Sequence, residues 1–332
     1  MPDPSKPGVA ESANMIITKL LRVRPREQVL LVADSKTDMG MMNALAAESS
    51  AAGAGYLIVV IPSRENVGVE SQTALPESVR KILEDFQVVV GLTATSGAPS
   101  YDSKVAHLLH TKKIRYMSMV LRSAENWTGG AARANYEEVY STAQKLAKVF
   151  KGREIKVTTP SGTNLTAIIA GRKSIVEAGI ALEPGQSAAF SDGEVSLSTV
   201  EGTANGVAVI DGPIAYLGKT REPVRVEIEK GRVLNVSGGT ECGVLRDWLE
   251  KIENFDNFAE IGVGVNPEAR RNGDWQEEKK GLGTAHFALG DNIYYYGKVH
   301  CPIHLDMVVY DPVVAVDGNV IAEDRKLYIP NT

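Results

Sequence analysis

The chain has 332 residues, 43% of them hydrophobic, with a formal net charge of −5 and a pI near 5.7. That length predicts two domains with full-sized cores, and an acidic balance without a basic stripe excludes the phosphate neutralisation that a nucleic-acid partner needs. Cys242 and Cys301 fall in no paired-spacing motif, the start Met1-Pro2-Asp3-Pro4-Ser5-Lys6-Pro7 has no basic-then-apolar leader, and no apolar run reaches membrane-spanning length, so a cytoplasmic protein with no membrane partner is expected.

In chain order, Glu11 to Val23 carries apolar residues at helical spacing, and Val29-Leu30-Leu31-Val32-Ala33 is a short aliphatic run of the kind a strand covered on both faces shows. The Ala-rich segment Asp38 to Ala52 predicts a helix that Gly53-Ala54-Gly55 ends, before a strand over Tyr56 to Ile61. The alternation continues through a helix at Pro76 to Phe86, a strand at Val88 to Leu92, a helix at Ser103 to His110 and a strand at Ile114 to Val120. Residues 1–150 therefore read as an α/β domain with a mostly parallel sheet. Neither G-x-G-x-x-G after a strand nor a Walker loop is present, which disfavours dinucleotide or ATP binding. His107 and His110 stand three apart on the last predicted helix, with no carboxylate grouped beside them, and read as surface residues.

After a helix from Tyr136 to Phe150 the texture changes to strands with Gly and Pro punctuation. These are Ile155 to Thr158, Leu165 to Ala170, Val224 to Ile228 and Val233 to Val236, interrupted by a helix at Cys242 to Ile252. Residues 151–332 are expected to form a β-rich α+β domain with antiparallel pairing.

This second part holds the chemistry. Three of the five histidines, His286, His300 and His304, fall in one short window, and His304 and Asp306 stand at His-x-Asp spacing before the β-prone Met307-Val308-Val309-Tyr310. Residues i and i+2 of a strand point to one side, so an imidazole and a carboxylate can meet at one point, a mixture that suits zinc, manganese, cobalt or ferrous iron. A hydrogen-bonded pair on a sheet edge explains the spacing equally well. Glu194, in Asp192-Gly193-Glu194-Val195, and Glu260, among apolar and glycine neighbours, are carboxylates that look costly to bury unless paired or bound to metal. With His286, His304 and Asp306 they make three carboxylates and two imidazoles, the inventory of a two-metal hydrolytic site.

The ordered motifs at Glu194, Glu201 to Gly206, Glu260 to Pro267, Gly283 to Gly290 and His304 to Asp306 resemble those of the aminopeptidase T or thermophilic metallopeptidase family. The resemblance spans nearly the whole chain and is specific in the second half. It implies that Glu194, Glu260, His286, His304 and Asp306 hold a dinuclear metal centre, and that the protein is a homo-oligomer such as a homodimer. Those peptidases place a tyrosine seven residues after the fourth-motif histidine. Here that position is Ile293, with Tyr294 one step later, so Tyr294 is the candidate catalytic residue and Tyr295 and Tyr296 read as packing residues. Asp291 and Asn292 are expected to cap a loop or orient substrate. The chain is similar over the same stretch to the 2,5-dihydroxypyridine dioxygenases, in which the third-motif glutamate is a histidine and one ferrous iron is held by two histidines and an aspartate.

Because Glu260 stands at that place and Glu194 and His286 are also present, the ligand tally favours a hydrolase. The expected protein uses a dinuclear divalent centre (Zn, Co or Mn) and metal-bound hydroxide on a short peptide or a small or cyclic amide. The alternatives are a mononuclear ferrous ring-cleaving dioxygenase, and a binding or scaffold protein that keeps the fold without stoichiometric metal.

Overall fold

A computed structural model of the chain describes residues 8–63, 75–93, 99, 102–119 and 125–329. The first residues, Met1 to Pro7, and Val120, the end of a predicted strand, lie outside the described residues. The chain divides into two compact units, one of Met1–Tyr136 with Ala178–Asp192 and the other of Glu137–Glu177 with Gly193–Thr332.

The first unit is built on a five-stranded sheet in the order Gly55–Ile61, Gln28–Asp34, Val88–Leu92, Arg115–Ser118 and Ser187–Ala189, with every neighbouring pair parallel. The aliphatic runs explain this. Val29 to Asp34 and all of Val88–Leu92 are buried, as parallel strands covered on both faces must be. On one face Leu30, Val89 and Tyr116 stand in register across three strands and pack with Val79, Leu83, Val105 and Leu108 from the covering helices. Each such side chain contributes roughly 1.5–3 kcal/mol by leaving water.

Helix ends follow their caps. The Asp38 carboxylate accepts from Gly40 N–H at the start of Met39–Ala51, and the Asp102 carboxylate accepts from Lys104 and Val105 N–H at the start of Ser103–His110. The Glu11 to Val23 prediction is met by a helix Val9–Met15 that widens into a π-helical turn, Ile16–Leu20. His107 and His110 are both exposed.

The second unit carries two antiparallel sheets, one of eight strands and one of seven. The seven-stranded sheet runs Gly218–Lys219, Pro213–Ile214, His304–Val309, Ala285–Gly290, Phe258–Gly264, Glu194–Leu197 and Ile175–Glu177. Its central strands alternate with period two. Ile261, Val263, Phe287, Leu289, Leu305, Met307, Val195 and Leu197 face one side as an apolar layer. The other side receives Glu194, Ser196, Glu260, Gly262, His286, Ala288, His304 and Asp306. A bulge between Phe258 and Glu260 reverses the parity there, so that Phe258 stays in the apolar layer against Phe287, ring centroids 5.7 Å apart, while Glu260 faces the other way. The architecture is thus a parallel-sheet α/β region followed by antiparallel β-rich sheets, as the sequence patterns predict.

Candidate metal centre

The cross-strand registers assemble a row. Glu260 pairs with Ala288 and Ala288 with Asp306, so two carboxylates flank one methyl group on the same face. In the adjacent rows Gly262 pairs with His286, and Gly290 with His304. Small residues stand beside each functional one, which leaves room above the sheet. At Gly262 this is obligatory, because a Cβ would lie 2.9 Å from His286 Nδ1 and closer still to two other ring atoms. All five metal-ligand candidates are therefore brought together, and Glu194, Glu260, His286 and Asp306 are buried.

They form two groups of three that share Glu260. Glu194, Glu260 and His286 make one, Glu260, His304 and Asp306 the other, and in each the donor atoms lie within 4.8 Å of one another. Buried polar atoms without a hydrogen bond among the described residues occur in both groups, which differ in the side chains that engage them. In the second, His304 Nε2 is 2.8 Å from Glu260 Oε2 and 3.4 Å from Asp306 Oδ1. All three atoms lack a well-formed hydrogen bond despite being buried. Leaving such atoms unsatisfied is costly, and separations of roughly 3–4 Å are those that a cation bound at about 2.1 Å from each would impose. His304 Nδ1–H donates to the Asp291 carbonyl at 2.7 Å, which turns Nε2 toward the carboxylates as a metal-ligating imidazole requires. The donors therefore fit a single divalent ion of the manganese, ferrous, cobalt or zinc kind.

The first group is engaged by lysines. Lys279 Nζ is 3.2 Å from Glu194 Oε1 and 3.2 Å from Asp306 Oδ2, and Lys280 Nζ is 2.8 Å from Glu194 Oε1. His286 Nε2 sits 3.3 Å from Glu260 Oε1 and 3.5 Å from Glu194 Oε2, while its buried Nδ1 has no hydrogen-bond partner among the described residues.

Charge explains the protonation tendencies. Burial pushes the Glu194 and Asp306 carboxyls up, but Lys279, with Lys280 at Glu194 and His304 at Asp306, outweighs it and holds both below the usual range. Burial likewise opposes the charged forms of Lys279 and His304, yet the neighbouring carboxylates hold both well above their ordinary values. Burial and then the Glu260 charge raise the Tyr295 hydroxyl.

Sequence reasoning missed Lys279, Lys280, Glu177 and Tyr295. Lys279-Lys280 reads as a solvated pair before a glycine turn, yet both are buried. Tyr295 is buried and stacks on the His304 ring, centroids 5.2 Å apart and planes 24° apart. Tyr294, the expected catalytic residue, is half exposed, and its hydroxyl donates to Glu177 Oε1 at 3.2 Å. Asp291 and Asn292 cap their loop: Asp291 accepts from the N–H groups of Ile293 and Cys301, and Asn292 from that of Val299.

Comparison with known proteins gives the family. A family model for 2,5-dihydroxypyridine 5,6-dioxygenase (NicX) matches residues 15–328. The curated 2,5-dihydroxypyridine 5,6-dioxygenase of Pseudomonas putida KT2440 is 28% identical over 204 residues, covering 55% of this chain and 58% of that relative. The match thus spans little more than half of the relative's length. A solved structure of 2,5-dihydroxypyridine dioxygenase from Pseudomonas putida KT2440 is similar with a TM-score of 0.80 at 20% identity, over 97% of each chain. Wild-type AmpT from Thermus thermophilus is similar with a TM-score of 0.71 at 13% identity, over 97% of this chain and 99% of that one. The two structural likenesses speak for the fold alone, and AmpT is the more distant of them.

The family match overturns the expected amide or peptide hydrolase with a dinuclear centre, and with it the aminopeptidase and metalloprotease readings. The physical reason is that carboxylates and imidazoles serve both chemistries, and the ligand tally counted donors without the two lysines among them. Ferrous iron is the divalent ion that goes with this family, and the chain has acidic and histidine groups able to hold one.

Proposed function

The chain belongs to the 2,5-dihydroxypyridine 5,6-dioxygenase (NicX) family, and from that premise we propose that it opens the ring of a dihydroxypyridine with dioxygen. The single observation that carries this reading is the family match over residues 15–328, a span that includes every residue of the candidate centre. Glu260, His304 and Asp306 would hold the ion, since their buried donor atoms face one another and the Asp291 carbonyl anchors His304 at Nδ1. Ferrous iron bound there supplies the one-electron chemistry that lets dioxygen react with an electron-rich ring. A dioxygenase leaves both oxygen atoms in the ring-opened product, so no external reductant is needed.

The remaining roles belong to the chain. The Asp291 carbonyl holds the His304 ring in the orientation that presents Nε2. His286 holds Glu260 through Nε2. Tyr295 stacks on the His304 ring and so helps fix the plane of that imidazole. Tyr294 would act through Glu177, the carboxylate it touches, which in turn lies 3.6 Å from Lys280 Nζ. Relative to the two-histidine, one-carboxylate set that the dioxygenase resemblance implies, Glu260 adds a negative charge. Lys279 beside Asp306 offsets it.

No described helix is long and apolar enough to cross a membrane, and a cytoplasmic location and homo-oligomeric assembly are part of the same proposal. The test is anaerobic loading of purified protein with Fe(II), followed by 2,5-dihydroxypyridine in an oxygen electrode. Equimolar uptake of oxygen and loss of substrate, dependent on Fe(II), is expected. No oxygen uptake above the protein-free rate overturns the proposal.

A further inference from the structure

We propose that Lys279 takes the place of a second metal ion: its ammonium group, held between Glu194 and Asp306, limits the centre to one divalent cation. This rests on the reading of Glu260, His304 and Asp306 as the metal ligands. By donor count alone the face could hold two ions, because the two groups of three share only Glu260 and each is compact enough to ligate.

Charge and geometry separate them. Lys279 Nζ stands 3.2 Å from a carboxylate oxygen of each group, Glu194 Oε1 and Asp306 Oδ2, and so already supplies a positive charge between them. Glu194 Oε1, the first group's outer donor, also meets Lys280 Nζ at 2.8 Å. The lysine side chains are only 8% exposed, so neither can leave for solvent without reorganising the turn that carries it. Lys279 is further confined by the Trp275 ring, 5.8 Å from Nζ, and by its own N–H donating to the Trp275 carbonyl.

Lys279 and Lys280 set two ammonium groups among Glu177, Glu194 and Asp306, and so reduce the positive charge that the face can accept from metal. A second ion would crowd two ammonium groups. The imidazoles agree with this division. His304 is anchored at Nδ1 by the Asp291 carbonyl, as ligating histidines usually are, whereas His286 Nδ1 has no such anchor among the described residues.

The experiment counts metal rather than turnover. Metal-free wild type, Lys279→Gln and Lys279→Arg are equilibrated with Mn(II), dialysed, and analysed for manganese per chain and by electron paramagnetic resonance. One Mn(II) is expected in the wild type and in Lys279→Arg. Two are expected in Lys279→Gln, with the signal of a spin-coupled pair. Two ions in the wild type or in Lys279→Arg, or one in a folded Lys279→Gln, overturns the proposal, and the wild-type count stands even where Lys279→Gln fails to fold. Such a failure leaves the ring-opening reading intact, because oxygen uptake by the iron-loaded wild type is measured separately.

Discussion

Gly262→Ala isolates the placement of His286 with a single methyl group. The glycine lies in a strand, without a left-handed backbone, and alanine is ordinarily the better residue there by about 0.5–1 kcal/mol. At this position, however, the new Cβ would fall 2.9 Å from His286 Nδ1 and nearer to Cε1 and Nε2, under the 3.0 Å that real Cβ atoms essentially never show. The ring is fully buried, so it must move as a body and give up its 3.3 Å contact with Glu260. Overpacking costs about 1–3 kcal/mol and loss of a hydrogen bond to a charged group about 1.5–3 kcal/mol, so the variant should lose roughly 3–6 kcal/mol of stability in urea unfolding. Misorienting a metal ligand through its supporting partner should also weaken Mn(II) binding about 10- to 100-fold by calorimetry. The decisive comparison is a double-mutant cycle. In a His286→Ala background the clash is gone, so adding Gly262→Ala should cost less than about 1 kcal/mol, a coupling of roughly 2 kcal/mol or more. Additive losses, or wild-type Mn(II) affinity in Gly262→Ala, would refute both the clash and the role given to His286.

Ala288→Val places two methyl groups between Glu260 and Asp306, and calorimetry should find Mn(II) binding lost, with a stability change of about 1–3 kcal/mol as overpacking predicts. His304→Ala removes the one imidazole whose Nδ1 is anchored and whose Nε2 faces two carboxylates, so metal content and Fe(II)-dependent oxygen uptake should disappear together; oxygen uptake at the wild-type rate in metal-free His304→Ala contradicts the assignment. In the first unit, Glu27 grips the buried Arg115 guanidinium through two hydrogen bonds, 3.0 and 2.6 Å, and Glu27→Gln should cost about 3–5 kcal/mol at pH 7 by stranding that charge. Burial raises the Glu27 carboxyl, but Arg115 outweighs it and holds the group below its ordinary value. Its contribution is therefore present above the ordinary carboxylate range near pH 4.3 and fades as pH falls through the lowered value, so wild type and Glu27→Gln should converge in unfolding midpoint only in acid.

Much of the fold was legible because its signals are local. The aliphatic runs at Val29 and Val88 lie within a residue of the strands observed, and Asp38 and Asp102 cap the helices that follow them. The strand Ser187–Ala189, which completes the parallel sheet beside Arg115–Ser118, was not legible, since three small residues far along the chain carry no periodicity. At the candidate centre, the period-two runs EIGVG, HFALG and HLD displayed which residues share a face. The bulge that keeps Phe258 off that face, and the registers that put Ala288 between two carboxylates, are pairing facts that no single segment contains. Lys279 and Lys280 escaped for a different reason: adjacent lysines after a short helix look solvated, and only the tertiary fold buries them against Glu194.

That escape explains why counting donors led toward hydrolysis. The solved dioxygenase and AmpT share this scaffold with TM-scores of 0.80 and 0.71, and a fold does not by itself fix a chemistry, which rests on side chains. Donor type cannot make it either, because imidazole and carboxylate serve iron, manganese, cobalt and zinc alike. What remains is net charge. Each ammonium group brought among the carboxylates reduces the positive charge that the face can accept from metal. The segment Lys279-Lys280 lies outside the five ligand positions but between Glu260 and His286 in the chain. The nuclearity of such a centre is therefore a property of its counter-charges as much as of its ligands, and a change of one lysine can alter the metal count while every ligand stays in place.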